Sequence, residues 1–193
     1  MFESLKIKTM PVQKITREEI LLKAQGVFRK QGYYHTSMNE LAEACSLQKG
    51  SFYHYFPSKE CLMKEILESV QSYLKNDVFS IAYEDILTPS ERLNKMLMKL
   101  GQFLLSQEGG CFVGNMTLET ALHVPEYAEI LRGIFDDWIQ AMQHLFVTKY
   151  PADTAFRMAQ QTVMEFEGAV MLTQIYKNQQ LLLDVYTRTM AKL

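Results

Sequence analysis

The sequence predicts an all-α protein of about nine helices, with a small three-helix module at the front and a larger helical body behind it. Apolar residues recur at helical intervals along most of the 193 residues. Helix-start residues stand before many of these stretches. No alternating strand pattern and no internal repeat interrupts them.

Taken in order, residues 1–15 carry Lys6, Lys8 and Lys14 among few structure-forming signals, and they are expected to form a flexible arm. Thr16-Arg17-Glu18-Glu19 has the spacing of a capping box. Ile20, Ala24, Val27 and Phe28 follow on one helical face until Gly32 supplies a C-cap. Ser37-Met38-Asn39-Glu40 is a second capping box, opening a helix of little more than two turns that stops near Cys45-Ser46. A third short helix spans about Gln48 to Tyr55, and Pro57-Ser58 ends it and caps the next. Three helices in about forty residues, the last two joined by a tight turn, match a helix-turn-helix.

From Ser58 to about Asn76 one longer helix is expected, with Leu62, Ile66, Val70, Tyr73 and Leu74 as its apolar stripe, linking the front module to the body. Thr88-Pro89-Ser90-Glu91 opens a helix through Leu93, Leu97, Leu100 and Leu104, closed by Gly109-Gly110. A short helix is expected after Cys111, another from Pro125 to about Thr148, and a long one from Pro151 to about Asn178. The last runs from about Gln180 to Met190. This divides the chain into an arm (1–15), a front module (16–64) and a body (65–193).

Composition narrows the class. Apolar residues make up 48% and charged residues 22%, ordinary values for a folded globular chain. No segment approaches the eighteen unbroken apolar residues of a membrane span, and the start lacks the apolar core of a signal peptide, so a cytoplasmic protein with no membrane partner is expected. Cys45, Cys61 and Cys111 fit neither a disulfide framework nor a zinc site. Residues 1–64 hold ten Lys and Arg against six Asp and Glu, a surplus of four positive charges. The remainder holds ten against sixteen, a deficit of six. Such a basic front and acidic rear suit a protein whose front meets a polyanion.

The residue types of the third helix agree. Lys49 offers a charge, Gly50 lets the backbone come close, Ser51 donates or accepts, and Tyr53, His54 and Tyr55 present polar atoms on flat rings. These groups fit phosphates and base edges of double-stranded DNA.

With Gly32-Tyr33, Thr36-Ser37, the run Lys49-Gly50-Ser51-Phe52-Tyr53-His54-Tyr55-Phe56 and Lys59-Glu60, residues 16–64 resemble the TetR/AcrR family of transcriptional regulators. The resemblance implies that Gly50 and Ser51 face bases, that Thr36, Tyr53, Tyr55 and Lys59 hold phosphates, and that Phe52 and Phe56 are core. Ser37, Gln48, Lys49 and His54 complete the expected DNA-binding set. It also implies a ligand-responsive repressor that binds a palindromic operator as a homodimer. Two departures stand out. Ser46 occupies the inter-helix turn where the family commonly has glycine, and Gln48 stands where it has Ser or Thr.

Behind residue 64 the resemblance carries no ligand, and the residues speak alone. Phe103, Met116, Phe135, Trp138, Met142, Phe166, Met171 and Tyr176 make an aromatic and methionine-rich set, expected to line a pocket for a small apolar or aromatic effector. Taken singly, each also suits plain core packing. Cys111 follows two glycines at an expected helix start, where the helix dipole lowers a thiol pKa, so a reactive thiol is weighed against an inert buried one. Glu119 and His123 stand four apart, a spacing that suits an ion pair better than a metal site, which would need a third ligand. Ala159, Val163, Phe166, Ala169, Val170 and Thr173, with Leu182, Val185, Tyr186 and Thr189, are the expected dimerisation stripes. No phosphate loop, metalloprotease helix, nucleophile elbow or dinucleotide fingerprint occurs, so an enzyme is not expected and neither a cofactor nor a metal is called for. A helical enzyme, or an architectural or cell-division factor on the same DNA-binding fold, are the alternatives.

Overall fold

The computed structural model describes residues 15–105 and 109–193, and all but the last residue of the expected arm lies outside them. Among the described residues the chain forms nine α-helices and no strand. The front module, or head, is α1 (Arg17–Gln31), α2 (Met38–Ala44) and α3 (Lys49–Tyr55), followed by the connecting α4 (Lys59–Tyr73). The body is α5 (Pro89–Leu105), α6 (Phe112–Thr120), α7 (Pro125–Phe146), α8 (Ala152–Tyr176) and α9 (Gln180–Met190).

The starts of these helices follow from local chemistry. Both head capping boxes form: Thr16 and Ser37 accept from the backbone N–H groups of Glu19 and Glu40, whose carboxylates return to the cap N–H groups. Thr88 and Glu91 do the same for α5. Ser58 caps α4 by accepting from the Cys61 N–H. The α1 helix ends at Gly32, whose φ of 82° is open to glycine and strained for other residues.

One expected helix is broken. The Ser58–Asn76 segment does not run on as a single rod: α4 stops at Tyr73, a π-helical turn covers Leu74–Val78, and a 3-10 turn covers Phe79–Tyr83. Leu74, Val78, Phe79, Ile81 and Ala82 are all buried; all but Phe79 keep the spacing of one helical face. Arg92 stabilises the end of the turn by donating to the carbonyls of Ala82 and Leu87. Tyr73, expected in the buried stripe, is exposed instead.

A single apolar core runs from Phe28, Leu41, Phe52 and Phe56 in the head, through Leu62 and Ile66 of α4, to the body. Within the body, Trp138 of α7 stacks on Phe79 at 6.2 Å and meets Phe166 of α8 at 6.0 Å. No helix among the described residues is long and apolar enough to cross a membrane.

Candidate nucleic-acid interface and body cavities

The face of α3 is shaped by what lies beneath it. Phe52 and Phe56 are fully buried, their rings 6.1 Å apart, and they fix the orientation of a helix only seven residues long. With that side inward, Gln48, Lys49, Gly50, Ser51, Tyr53 and His54 are all exposed on the other. Nothing crowds Gly50, so a backbone or base edge can approach it. Arg17 clamps the underside: its guanidinium lies 4.2 Å over the Phe56 ring and donates to the Tyr55 carbonyl and to Glu65. The turn from α2 to α3 uses Ser46 in the left-handed conformation, φ 57°, the place where the family commonly has glycine.

Four of the residues expected on the DNA-binding face have other engagements. Thr36 is 2% exposed, and its hydroxyl donates to the Gly32 carbonyl at 2.6 Å, so it locks the turn after α1 and has no free hydroxyl for a phosphate. Lys59 donates from Nζ to the carbonyls of Tyr33 and Thr36 at 2.8 and 2.9 Å, with its charge 4.5 Å from the centre of the Tyr33 ring. Two of its three protons are therefore held by the protein. Tyr55 is half-buried, and its hydroxyl donates to the Ile15 carbonyl. Ser37 is exposed, with its hydroxyl in the capping box. The outward row is thus shorter than the sequence suggested, because backbone carbonyls capture the donors of Thr36, Tyr55 and Lys59, and the Glu40 carboxylate that of Ser37.

The expected effector set does not gather around one cavity. Met116, Trp138, Met142 and Phe166 are core, while Met171 and Tyr176 are exposed on α8. Phe103, Phe135 and Trp138 line a narrow space of about 10 Å³ shared with Cys111 and Glu167, too small for any ligand. A larger cavity of about 320 Å³ opens beside it, lined by Cys111, Leu118, Phe135, Glu167, Met171 and Gln174. Only Phe135 and Met171 of the expected set reach it.

Cys111 does sit at the N-terminus of α6, and its Sγ accepts from the Gly114 N–H. Its surroundings nonetheless suit the inert buried reading of the two. Burial pushes the thiol pKa up, and the Glu167 carboxylate, to which the thiol donates at 3.2 Å, pushes it further. Desolvation and a neighbouring anion outweigh the helix dipole. Burial likewise raises Glu167, against a smaller lowering by the Cys111 bond. Gly114 makes the pairing possible, since a Cβ there would meet the Glu167 Oε2 at 2.6 Å.

The α8–α9 stripes are corrected too. Ala159, Val163, Phe166, Ala169, Val170, Leu182, Val185 and Thr189 are buried within the chain's own body. The outward apolar row on α8 is Met164, Met171, Leu172 and Ile175, the last 74% exposed, with Leu183 on α9.

Sequence reasoning missed the junction between head and body. Glu119 of α6 accepts from the Tyr33 N–H at 2.7 Å instead of pairing with His123, and Gly32 leaves room for its carboxylate. Tyr127 of α7 donates to the Glu60 carbonyl at 2.9 Å, and its ring meets that of Tyr33 edge-on at 5.8 Å. Lys64 pairs with Glu126. The sequence carried no specific signal for it, since Glu119 and Glu126 are two of sixteen acidic residues behind residue 64. Among the described residues no three His, Cys, Asp or Glu side chains converge as a metal site would require.

Residues 20–66 match the family described as bacterial regulatory proteins, tetR family. Residues 89–188 match the C-terminal domain described as transcriptional regulator LmrA/YxaF-like. The chain is 26% identical over 171 residues to the HTH-type transcriptional repressor DhaR of Mycobacterium sp. (strain GP1), covering 85% of each protein. Its fold is similar to that of a TetR transcriptional regulator from Legionella pneumophila, with TM-score 0.82 at 20% identity over 92% of this chain and 97% of that one. It is also similar, with TM-score 0.65 at 19% identity over 91% and 96%, to AibR, solved in complex with isovaleryl coenzyme A and operator DNA.

Proposed function

From the premise that this chain belongs to the TetR family and is a DNA-binding transcriptional regulator, not an enzyme, we propose that it is a ligand-responsive repressor that binds a palindromic operator as a homodimer. The observation that carries this reading is the exposed row Gln48, Lys49, Gly50, Ser51, Tyr53 and His54 backed by fully buried Phe52 and Phe56. It is a rigid polar ridge of a size that enters a major groove. Residues 16–64 act as the reading head and residues 65–193 as the sensing and dimerising body.

The outward apolar row of α8 and α9 supports the dimer, because it would otherwise stay exposed to water on two helices already packed on their inner sides. A two-fold pair presents two copies of α3 to successive major grooves, about 34 Å apart along the duplex. The effector, a small apolar or aromatic compound, binds in the cavity between α6, α7 and α8. There it acts on the Tyr33–Glu119 and Glu60–Tyr127 contacts, and so on the head. The repressor sense follows DhaR, and a bound small molecule has a parallel in the AibR complex.

The test is genome-wide selection of DNA fragments by the purified protein, repeated with Tyr53→Ala. A short palindrome near a few genes, lost in the variant while its melting temperature is unchanged, is the expected outcome. Many dispersed fragments, or a salt-sensitive background alone, would overturn the regulator-at-an-operator reading. Light scattering on Ile175→Glu checks the dimer, which this variant is expected to split.

A further inference from the structure

An apolar cleft with a buried charge lies outside the body cavities. It opens between α1, α4 and α5, holds about 500 Å³, and is walled by Leu21, Leu22, Ile66, Val70, Tyr73 and Phe103. That volume is in the range of small-molecule sites. Its walls come from the head, from the connecting helix and from the body.

Arg29, in the last turn of α1, lines this cleft and is 4% exposed. Its Nε is buried and has no hydrogen-bond partner. Nη1 makes one long bond, 3.4 Å, to the Phe103 carbonyl, and the guanidinium lies 5.5 Å from the centre of the Phe103 ring. No described carboxylate pairs with it. A guanidinium taken out of water without an anion is costly, and burial accordingly lowers its pKa. The α1 dipole favours a cation at this end but gives Nε no acceptor. Gln25, Ser69 and Gln102 add further donors, while Glu18, the one acidic residue among the described lining, is three turns away along α1 and exposed.

We propose that this cleft is a second small-molecule site, separate from the body cavities, that takes an amphipathic anion: a flat apolar body against Leu22, Val70, Tyr73 and Phe103, with a carboxylate or sulfonate paired to Arg29. The guanidinium presents a planar fork that matches such an anion. Because the occupant touches α1, α4 and α5 together, it fixes the angle between head and body.

The experiment is titration calorimetry of the full chain with naphthoate and with its uncharged isostere naphthamide. Naphthoate is expected to bind saturably, one per protomer, and at least about tenfold more tightly than naphthamide. Arg29→Met should reduce naphthoate to the affinity of naphthamide. Leu22→Trp, at an exposed position that tolerates bulk, should block both compounds by filling the cleft, with its melting temperature as the check on folding. Glu167→Gln, in the body cavity, should leave naphthoate affinity within about twofold. Absence of saturable naphthoate binding, equal affinity for the two compounds, or undiminished binding to Leu22→Trp would each overturn the proposal.

Discussion

In the head, the outward groups Lys49, Gly50, Ser51, Tyr53 and His54 come from one seven-residue helix and its two anchors, Phe52 and Phe56. In the body, the groups around the thiol (Phe103, Cys111, Phe135, Trp138 and Glu167) come from α5, the start of α6, α7 and α8. The head therefore separates its tasks by residue, since alternate positions of one helix either hold it or read with it. The body cannot, because each aromatic that lines its small cavity also packs its core. A substitution on the outer side of α3 should change DNA binding and leave stability alone; one in the body should change stability and response together.

The strongest test of that separation is Phe52→Ala. Removing a fully buried ring that packs on Phe56 is expected to cost about 3–5 kcal/mol in urea unfolding and to abolish DNA binding through loss of the head. Tyr53→Ala, one position on and exposed, is expected to stay within about 0.5 kcal/mol of the parent chain. If the two variants were destabilised alike, α3 would not be divided into a holding and a reading side.

Next in size is the junction. Glu119→Ala leaves the Tyr33 N–H without its 2.7 Å acceptor and is expected to cost about 1–3 kcal/mol. Its sharper signature is functional: operator affinity retained, with the effect of an effector on that affinity weakened. Unchanged coupling would move the link between the regions to Tyr127 and Glu60.

The same division decides what could be read from the sequence. The capping boxes at Thr16 and Ser37, the Gly32 stop, the Ser58 cap and the end at Met190 are local, and the helices start and stop where those residues place them. The head residues were legible as a set, but the inward turn of Thr36 and Lys59 was not, because it depends on which backbone carbonyls the fold brings near. The π and 3-10 turns over residues 74–83 answer to packing against α5 and α7, which no local pattern encodes. Cys111 shows the limit best. Its place at a helix N-terminus was legible and points to a lowered pKa, whereas burial and a carboxylate 56 residues away reverse the direction. For α8, periodicity marked the Ala159–Thr173 stripe and could not say that the chain keeps most of it for its own core.

A smaller effect tests the one strained position in the head. Ser46 holds φ 57° in the turn between α2 and α3, a conformation that glycine adopts freely. Ser46→Gly is expected to stabilise the protein by about 0.5–1 kcal/mol, less whatever glycine gives back by loosening the unfolded chain. A destabilised variant would mean that the serine side chain supports the turn in a way that outweighs the strain.

The smallest effect belongs to the body and carries a pH signature. Burial holds the Glu167 carboxyl pKa above the ordinary glutamate range, so the folded protein binds this proton more tightly than the unfolded chain does. Stability from this group is therefore complete below the unfolded value of about 4.3 and is lost as pH rises through the folded value. Glu167→Gln copies the protonated form, and its amide oxygen can still accept from the Cys111 thiol. The variant is expected to melt about 2 °C higher near neutral pH and to show no gain below the ordinary glutamate range. It also removes the anion that opposes Cys111 ionisation, so with Cys61→Ser as background to silence the exposed thiol, iodoacetamide should label Cys111 faster in the variant than in the parent. A stability gain equal at every pH would assign the effect to packing alone. Slower labelling would mean that the carboxylate draws the thiol proton away, giving the body a nucleophile that its burial otherwise suppresses.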